Sequence, residues 1–272
     1  MRKIDEIYRG LCKDLINKGK PVGNTLELKN VQFTISDINE NIIGIRNISA
    51  AYLFGEWLWY FSGKNNTKFI SSFGSLWEKL SDDGVTNNSA YGYIMKYKFG
   101  FDQVEKIIEL LTIDPNSRRA VINLNTPNEN VIETKDEPCT IALDYYIRDN
   151  KLFCTGIMRS NDIWFGLPYD IAFFMELQKY IANRLRVEYG TYTHFVVSLH
   201  LYEKNLESIK KIVDDPVQKI ITYDEIKFWT NLRFVTELMT VITNHCDSSE
   251  VKKIMLKLAT TNFDYKEIYY ED

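Results

Sequence analysis

Two hydrophobic periods succeed one another along this 272-residue chain, and the change between them marks its elements. Near the start, Ile4, Ile7, Tyr8, Leu11, Leu15 and Ile16 recur at helical spacing as far as Gly19, Lys20 and Pro21, which predicts an N-terminal helix. A strand is expected from about Leu26 to Ser36, a hydrophobic helix from Ala50 to Ser62, an aromatic-rich loop to Tyr93, and a helix from Phe101 to Thr112. The period then falls to two. Ala120 to Asn125, Thr140 to Arg148 and Leu152 to Arg159 alternate and are rich in β-branched and aromatic residues, with Asp149-Asn150 as a hairpin turn between the last two. Pro168 opens an apolar helix to about Arg184, a strand runs from about Tyr192 to Tyr202, and amphipathic helices are expected at about Asp224–Asn244 and Ser249–Ala259. The fold class predicted is α+β, helices flanking a mainly antiparallel sheet, in a single domain over 1–272 with a helical extension from about residue 206.

Composition narrows the classes without naming one. With 45% hydrophobic and 26% charged residues the chain can bury one substantial core, and a net charge of -4 with both signs interspersed gives no basic face for a long nucleic acid. A phosphate bound here must therefore meet a local cluster of arginines. Cys12, Cys139, Cys154 and Cys246 are scattered, with no CxxC pair, so neither disulfides nor a metal site is expected, and a reducing cytoplasm is the natural compartment. The apolar stretch from Ala50 to Phe61 is interrupted by Glu56 and is too short to span a bilayer.

Candidate chemistry begins at Pro138-Cys139-Thr140, where a cysteine enters a strand from a polar loop. By itself such a residue is an ordinary small hydrophobe. Downstream, however, Arg159-Ser160-Asn161-Asp162 ends the following strand, and Phe165-Gly166-Leu167-Pro168-Tyr169-Asp170-Ile171-Ala172 opens the helix after it. A guanidinium and a hydroxyl beside a helix start make an anion site. In order and spacing these motifs, with Ser198-Leu199-His200-Leu201-Tyr202, resemble the core of the thymidylate synthase family. Glu56 within Gly-Glu-Trp-Leu-Trp-Tyr, Trp77, Tyr91-Gly92 and Asn116-Ser117-Arg118-Arg119 agree with it, so the resemblance covers roughly residues 20 to 205.

The resemblance implies roles residue by residue. Cys139 would be the nucleophile that adds to pyrimidine C6, with Arg159 favouring the thiolate and, with Ser160, holding phosphate. Arg118 and Arg119 would reach the phosphate from the partner of a homodimer built through the sheet, and Lys20 stands where the family has a further arginine. Glu56, a carboxylate among Trp57, Leu58, Trp59 and Tyr60, would organise proton transfers with a pKa raised by burial. His200 and Tyr202, two apart on one strand face, would take the sugar 3′-hydroxyl. Trp77, Tyr91, Asp162 and Gly166 would line the site of 5,10-methylenetetrahydrofolate, the implied one-carbon donor. Without the family pattern, core packing would explain Trp77, and a solvated turn would explain Arg118 and Arg119.

Asp170 departs from that pattern, because thymidylate synthases place an asparagine there. An amide matches the O4 and N3–H edge of uracil; a carboxyl sharing a proton matches the amino group and N3 acceptor of cytosine. This aspartate resembles the deoxycytidylate hydroxymethylase branch of the family, as do the stretches Asn87 to Tyr93 and Met158 to Asp162, and implies dCMP as substrate and 5-hydroxymethyl-dCMP as product. Helix-start chemistry alone also accounts for an acidic residue just after Pro168. Thymidylate synthesis on dUMP, a CMP hydroxymethylase, a dCMP methyltransferase and a non-catalytic nucleotide-binding protein remain the alternatives. The polar ending Tyr269-Tyr270-Glu271-Asp272, unlike the apolar synthase tail, favours capture of water over hydride transfer.

Overall fold

The computed structural model describes residues 2–127 and 132–215, so the helices expected over 224–244 and 249–259 lie outside the described residues. Helix α1 (Lys3–Lys18) stops at Gly19, and a short strand β1 (Lys20–Val22) turns directly into the long strand β2 (Thr25–Ile35). Helix α2 (Ala50–Ser62) begins at Ser49, whose hydroxyl accepts from the Tyr52 N–H, and ends at Gly63 in the left-handed region. The stretch to Tyr93, expected as loop, instead forms three short helices, α3 (Thr67–Ser71), α4 (Leu76–Leu80) and α5 (Tyr91–Lys96). Each is five or six residues long, too short to display a period, and each is held by a few buried side chains such as Ile70, Trp77 and Ile94. Helix α6 (Gln103–Ile113) is capped by Asp102, which accepts from the N–H groups of Val104 and Glu105.

Strands β3 (Ala120–Asn123), β4 (Thr140–Arg148) and β5 (Lys151–Asp162) follow. The β4–β5 turn falls at Asp149 and Asn150, both with positive φ of 48° and 58°, as a hairpin matched to strand twist requires. Helix α7 (Leu167–Leu185), strand β6 (Glu188–Tyr202) and helix α8 (Leu206–Asp214) complete the described chain.

The six strands form one sheet in the order β1-β2-β6-β5-β4-β3. Every neighbouring pair is antiparallel except β5 and β6, which run parallel with Ser160 beside Ser198 and Asp162 beside His200. Parallel neighbours need a crossover, and α7 is that crossover. It packs on β5 and β6, with Phe174 beside Gly156 and Gln178 donating to the carbonyl of Leu152, while Phe173 meets Tyr60 and Phe61 of α2. Helix α1 lies on β2 and α8, and its Tyr8 hydroxyl donates to the carbonyl of Ile163, where β5 ends. Among the described residues no helix is long and apolar enough to cross a membrane.

Gly92 sets how closely α5 approaches α2, since a Cβ there would stand 1.8 Å from the main-chain oxygen of Tyr60. Gly92→Ala is expected to destabilise the protein by about 3 kcal/mol through overpacking against backbone. Thermal unfolding followed by circular dichroism checks this; an unchanged midpoint would contradict it.

Candidate active site

The carboxyl ends of β5 and β6 and the amino end of α7 meet at one edge of the sheet, and most of the candidate residues arrive there together. Cys139 immediately precedes β4, beside a β-bulge between Thr140 and Ala142, an irregularity that re-aims side chains at a strand start. The Arg159 N–H donates to the Cys139 carbonyl at 2.9 Å, and its guanidinium donates from Nε to Pro138 (3.0 Å) and from Nη2 to Glu137 (2.8 Å). Arg159 therefore clamps the turn carrying the thiol while remaining exposed. Burial pushes the Cys139 thiol up to about 11; Arg159 opposes that shift, and Asp170, Asp136 and Glu137 add to it. In the absence of ligand the protein thus holds this thiol protonated.

Asp170 sits in the first turn of α7, half-buried, with Oδ2 accepting from Asn161 Nδ2 at 2.7 Å. Burial raises its carboxyl to about 7, the Asn161 bond lowers it and Asp162 raises it further. A helix N-terminus favours the carboxylate by roughly 0.3–1 kcal/mol at an exposed site, which here is the smaller effect. Glu56 on α2 is only 5% exposed and is raised to about 8, chiefly by burial and then by the charge of Asp170, against hydrogen bonds from Tyr52 and Tyr60. The Tyr52 hydroxyl donates to Glu56 Oε1 at 2.8 Å and accepts from Trp77 Nε1 at 2.8 Å. Tyr52 precedes Glu56 by one helical turn, so the 3.6-residue period was the available signal for it.

Ser160 Oγ lies 3.3 Å from His200 Nδ1, and the His200 ring meets Tyr202 edge-on at 5.3 Å. Asp162 closes β5, with Oδ1 accepting from the N–H groups of Trp164 and Phe165. Gly166 follows closely: a Cβ there would come within 2.8 Å of Asn161 Nδ2 and 3.3 Å of both the Asp162 carbonyl and Asp170 Oδ2. Trp77 and Tyr91 are buried at 8% and 5% exposure, packed on Trp59 and Tyr60 respectively, and the Tyr91 hydroxyl accepts from Thr140 at 2.9 Å. Of the four residues expected on the folate side, Asp162 and Gly166 stay partly exposed, whereas Trp77 and Tyr91 are buried.

Arg118, Arg119 and Lys20 are not brought to the thiol within one chain. All three are exposed. The two arginines precede Ala120, which pairs with Tyr145, and they lie toward the far end of β4 from Cys139. At ~3.4 Å per strand residue the five residues from Thr140 to Tyr145 alone span about 17 Å. Lys20 begins β1, on the opposite edge of the sheet from β3. Asn161, His194 and Tyr192 belong to the site's surroundings and were absent from the candidates, because alternation along a strand marks such positions only as core. No group of three or more His, Cys, Asp or Glu suited to a metal ion occurs among the described residues.

Fold and side chains together define a class: a thiol flanked by a guanidinium and two carboxyls pushed toward neutrality, at the end of a parallel strand pair in an otherwise antiparallel sheet. The chain belongs to the thymidylate synthase family, whose model matches residues 6–241. It is 32% identical to a deoxyuridylate hydroxymethyltransferase of Pseudomonas phage M6 over 162 residues, 58% of this chain and 46% of that protein. It is 31% identical to a thymidylate synthase of Mycoplasma pneumoniae over 147 residues (54% and 47%) and 29% identical to a deoxyuridylate hydroxymethyltransferase of Bacillus phage SP01 over 188 residues (64% and 48%). The chain spans under half the length of these curated relatives. Its fold matches that of thermostable thymidylate synthase A from Bacillus subtilis with a TM-score of 0.68, at 23% identity, over 79% of this chain and 85% of that structure.

Because Glu56 is protonated in the folded protein up to about pH 8 but ionises near 4.5 when unfolded, its contribution to stability is complete below 4.5 and is lost as pH rises through 8. Glu56→Gln keeps the acceptor for Tyr52 and removes this loss. The variant is therefore expected to gain on the wild type by about 3 kcal/mol between pH 5 and pH 8. Denaturant melts at the two pH values measure this, and parallel pH dependence of both proteins would refute it.

Proposed function

We propose that the protein is a folate-dependent one-carbon transferase that hydroxymethylates C5 of dCMP. The observation that carries the reading is Asp170, a carboxyl raised to about 7 and fixed by Asn161 at the position where the family reads the pyrimidine edge. Near neutral pH such a group shares a proton with N3 of cytosine and accepts from its amino group, whereas its ionised form has no proton to give O4 of uracil.

Chemistry follows from the same residues. On binding, the Cys139 thiol gives up its proton to solvent and its thiolate adds to C6 while Asp170 protonates N3, so that the addition leaves C5 nucleophilic rather than building charge on the ring. Arg159, already within electrostatic reach of the thiol, lowers its pKa and presents its remaining donors to the nucleotide phosphate beside Ser160. His200 and Tyr202 hold the sugar, and their link to Ser160 couples sugar to phosphate. Methylenetetrahydrofolate would supply the carbon that C5 receives, and Asp162, a carboxyl suited to pterin N–H donors, would hold it together with Gly166. Glu56, tied to Tyr52 and Trp77, handles the C5 proton and orders the water whose oxygen becomes the hydroxyl. Elimination of Cys139 restores the aromatic ring. Net, dCMP, methylenetetrahydrofolate and water give 5-hydroxymethyl-dCMP and tetrahydrofolate.

A homodimer completes the site in this reading. The sheet face turned away from α7 carries Tyr146, Phe153, Ile157, Phe195 and Val197, none of them fully buried, which suits a second copy. Pairing there would bring Arg118 and Arg119 of each protomer toward the partner's phosphate. A second reading, hydroxymethylation of dUMP, is favoured by the names of the two phage relatives.

Tritium release from [5-³H]dCMP, [5-³H]dUMP and [5-³H]CMP with methylenetetrahydrofolate, with mass analysis of products, separates these. Release from dCMP with a hydroxymethyl product is expected, abolished in Cys139→Ser. Asp170→Asn should move the dCMP to dUMP preference by roughly 100-fold toward dUMP. Release from dUMP alone in the wild type would overturn the cytosine reading.

A further inference from the structure

Behind Asp170 a chain of three buried polar side chains runs into the sheet. Asn161 Nδ2 donates to Asp170 Oδ2 at 2.7 Å; Asn161 Oδ1 lies 3.1 Å from His194 Nε2; His194 Nδ1 lies 2.8 Å from the Tyr192 hydroxyl. Asn161, His194 and Tyr192 are 2%, 0% and 0% exposed, on the parallel strands β5 and β6. The proposed chemistry at C6 makes no use of the last two. Neighbouring members constrain one another, because an amide or a neutral imidazole that donates at one end must accept at the other.

Two polarities are conceivable. In one, Tyr192 O–H donates to His194 Nδ1, His194 Nε2–H donates to Asn161 Oδ1, and the Asn161 amide donates to Asp170. In the other the Asn161 amide is flipped and every bond reverses: Asp170 Oδ2 carries the proton and donates to Asn161 Oδ1, Asn161 Nδ2 donates to His194 Nε2, and the tyrosine oxygen accepts from Nδ1–H. Reversal strands the hydroxyl proton of Tyr192. No other hydrogen-bond partner of that hydroxyl is present among the described residues, and its oxygen is packed over Gly156, where a Cβ would approach to 2.4 Å. A buried donor without an acceptor is costly, so the forward polarity prevails.

We infer that Tyr192, through His194 and Asn161, is a positioning relay that keeps Asp170 Oδ2 a permanent acceptor, leaving Oδ1 as the only oxygen that carries a proton to the pyrimidine. The relay has no charge of its own to gain. Burial alone lowers His194 to about 3, so it stays neutral through the working range, and its ring stacks on Phe33 with centroids 5.2 Å apart. Groups that face Asp170 are Asp162 from β5, Glu56 and Tyr60 from α2, Tyr91 from α5, Cys139 before β4 and Tyr192 from β6. These set whether Asp170 holds a proton; the relay sets which oxygen holds it. Directing the proton is what a cytosine-reading carboxyl needs, since N3 and the amino group demand a donor and an acceptor in fixed order.

The consequence for turnover rests on the cytosine reading above, but the relay itself does not, and the experiment separates them. Long-range ¹H–¹⁵N spectra of the ¹⁵N-histidine-labelled protein report imidazole tautomers directly, and the chain has only three histidines. His194 is expected as the Nε2–H tautomer, uncharged at pH 5, and Tyr192→Phe is expected to lose that single tautomer while retaining the fold. Tyr192→Phe should also lower the dCMP over dUMP preference in kcat/KM by about tenfold, with KM for phosphate-bearing substrates unchanged. An Nδ1–H tautomer in the wild type, or an unchanged tautomer and preference in Tyr192→Phe, would overturn the relay. The expected tautomers in a protein that turns over only dUMP would uphold the relay and remove the dCMP reading instead.

Discussion

One parallel crossover governs where the chemistry sits. Strands β5 and β6, joined by helix α7, form the only parallel pair among the described residues, and geometry then puts the ends of β5 and β6 and the start of α7 at the same edge. Arg159, Ser160 and Asp162 come from the first end, Asp170 from the helix start, and His200 and Tyr202 from the second end. An antiparallel return would have carried His200 and Tyr202 to the opposite edge, away from Asp170. The crossover is held by Phe174 beside Gly156 of β5 and by Phe173 against α2, and the neighbouring antiparallel strand β4 only has to begin at that edge to add Cys139.

Within that edge, desolvation outweighs every local electrostatic preference. Cys139 lies near a guanidinium and Asp170 at a helix start, both arrangements that favour the anion, and yet both groups are shifted toward their neutral forms. Glu56 follows the same rule with Asp170 as an additional like charge. Near neutral pH Cys139 and Glu56 are thereby held protonated and Asp170 is poised close to half-protonation. In the proposed reaction such a site depends on substrate to ionise its nucleophile, which would restrict thiolate chemistry to the occupied state.

Much of this was legible in the sequence where local rules act. Positive φ at Asp149 and Asn150 followed from their place between two alternating segments, and the apolar period after Pro168 gave α7 within two residues. Motif spacing brought Cys139, Arg159, Asp170 and His200 into one hypothesis. What depended on distant partners was not legible. The parallel β5–β6 pairing is a long-range choice, although a strand, a 19-residue helix and a strand in succession was its trace. The short helices over 67–71, 76–80 and 91–96 owe their existence to contacts of Ile70, Trp77 and Ile94, not to propensity. Tyr192 and His194 looked like ordinary core positions of an alternating strand, because nothing in their spacing reveals that Asn161 stands between them and Asp170.

The central claim is that Asp170 reads the pyrimidine as a proton-sharing acid. Calorimetric binding of dCMP to Cys139→Ser protein at pH 8, repeated in two buffers of different ionisation enthalpy, counts the protons taken up with no Cys139 thiol present to release one. Because Asp170 is largely ionised there in the free protein and protonated against cytosine N3 in the complex, uptake approaching one proton is predicted, absent in Asp170→Asn. Binding of dCMP at pH 8 without proton uptake would contradict the account.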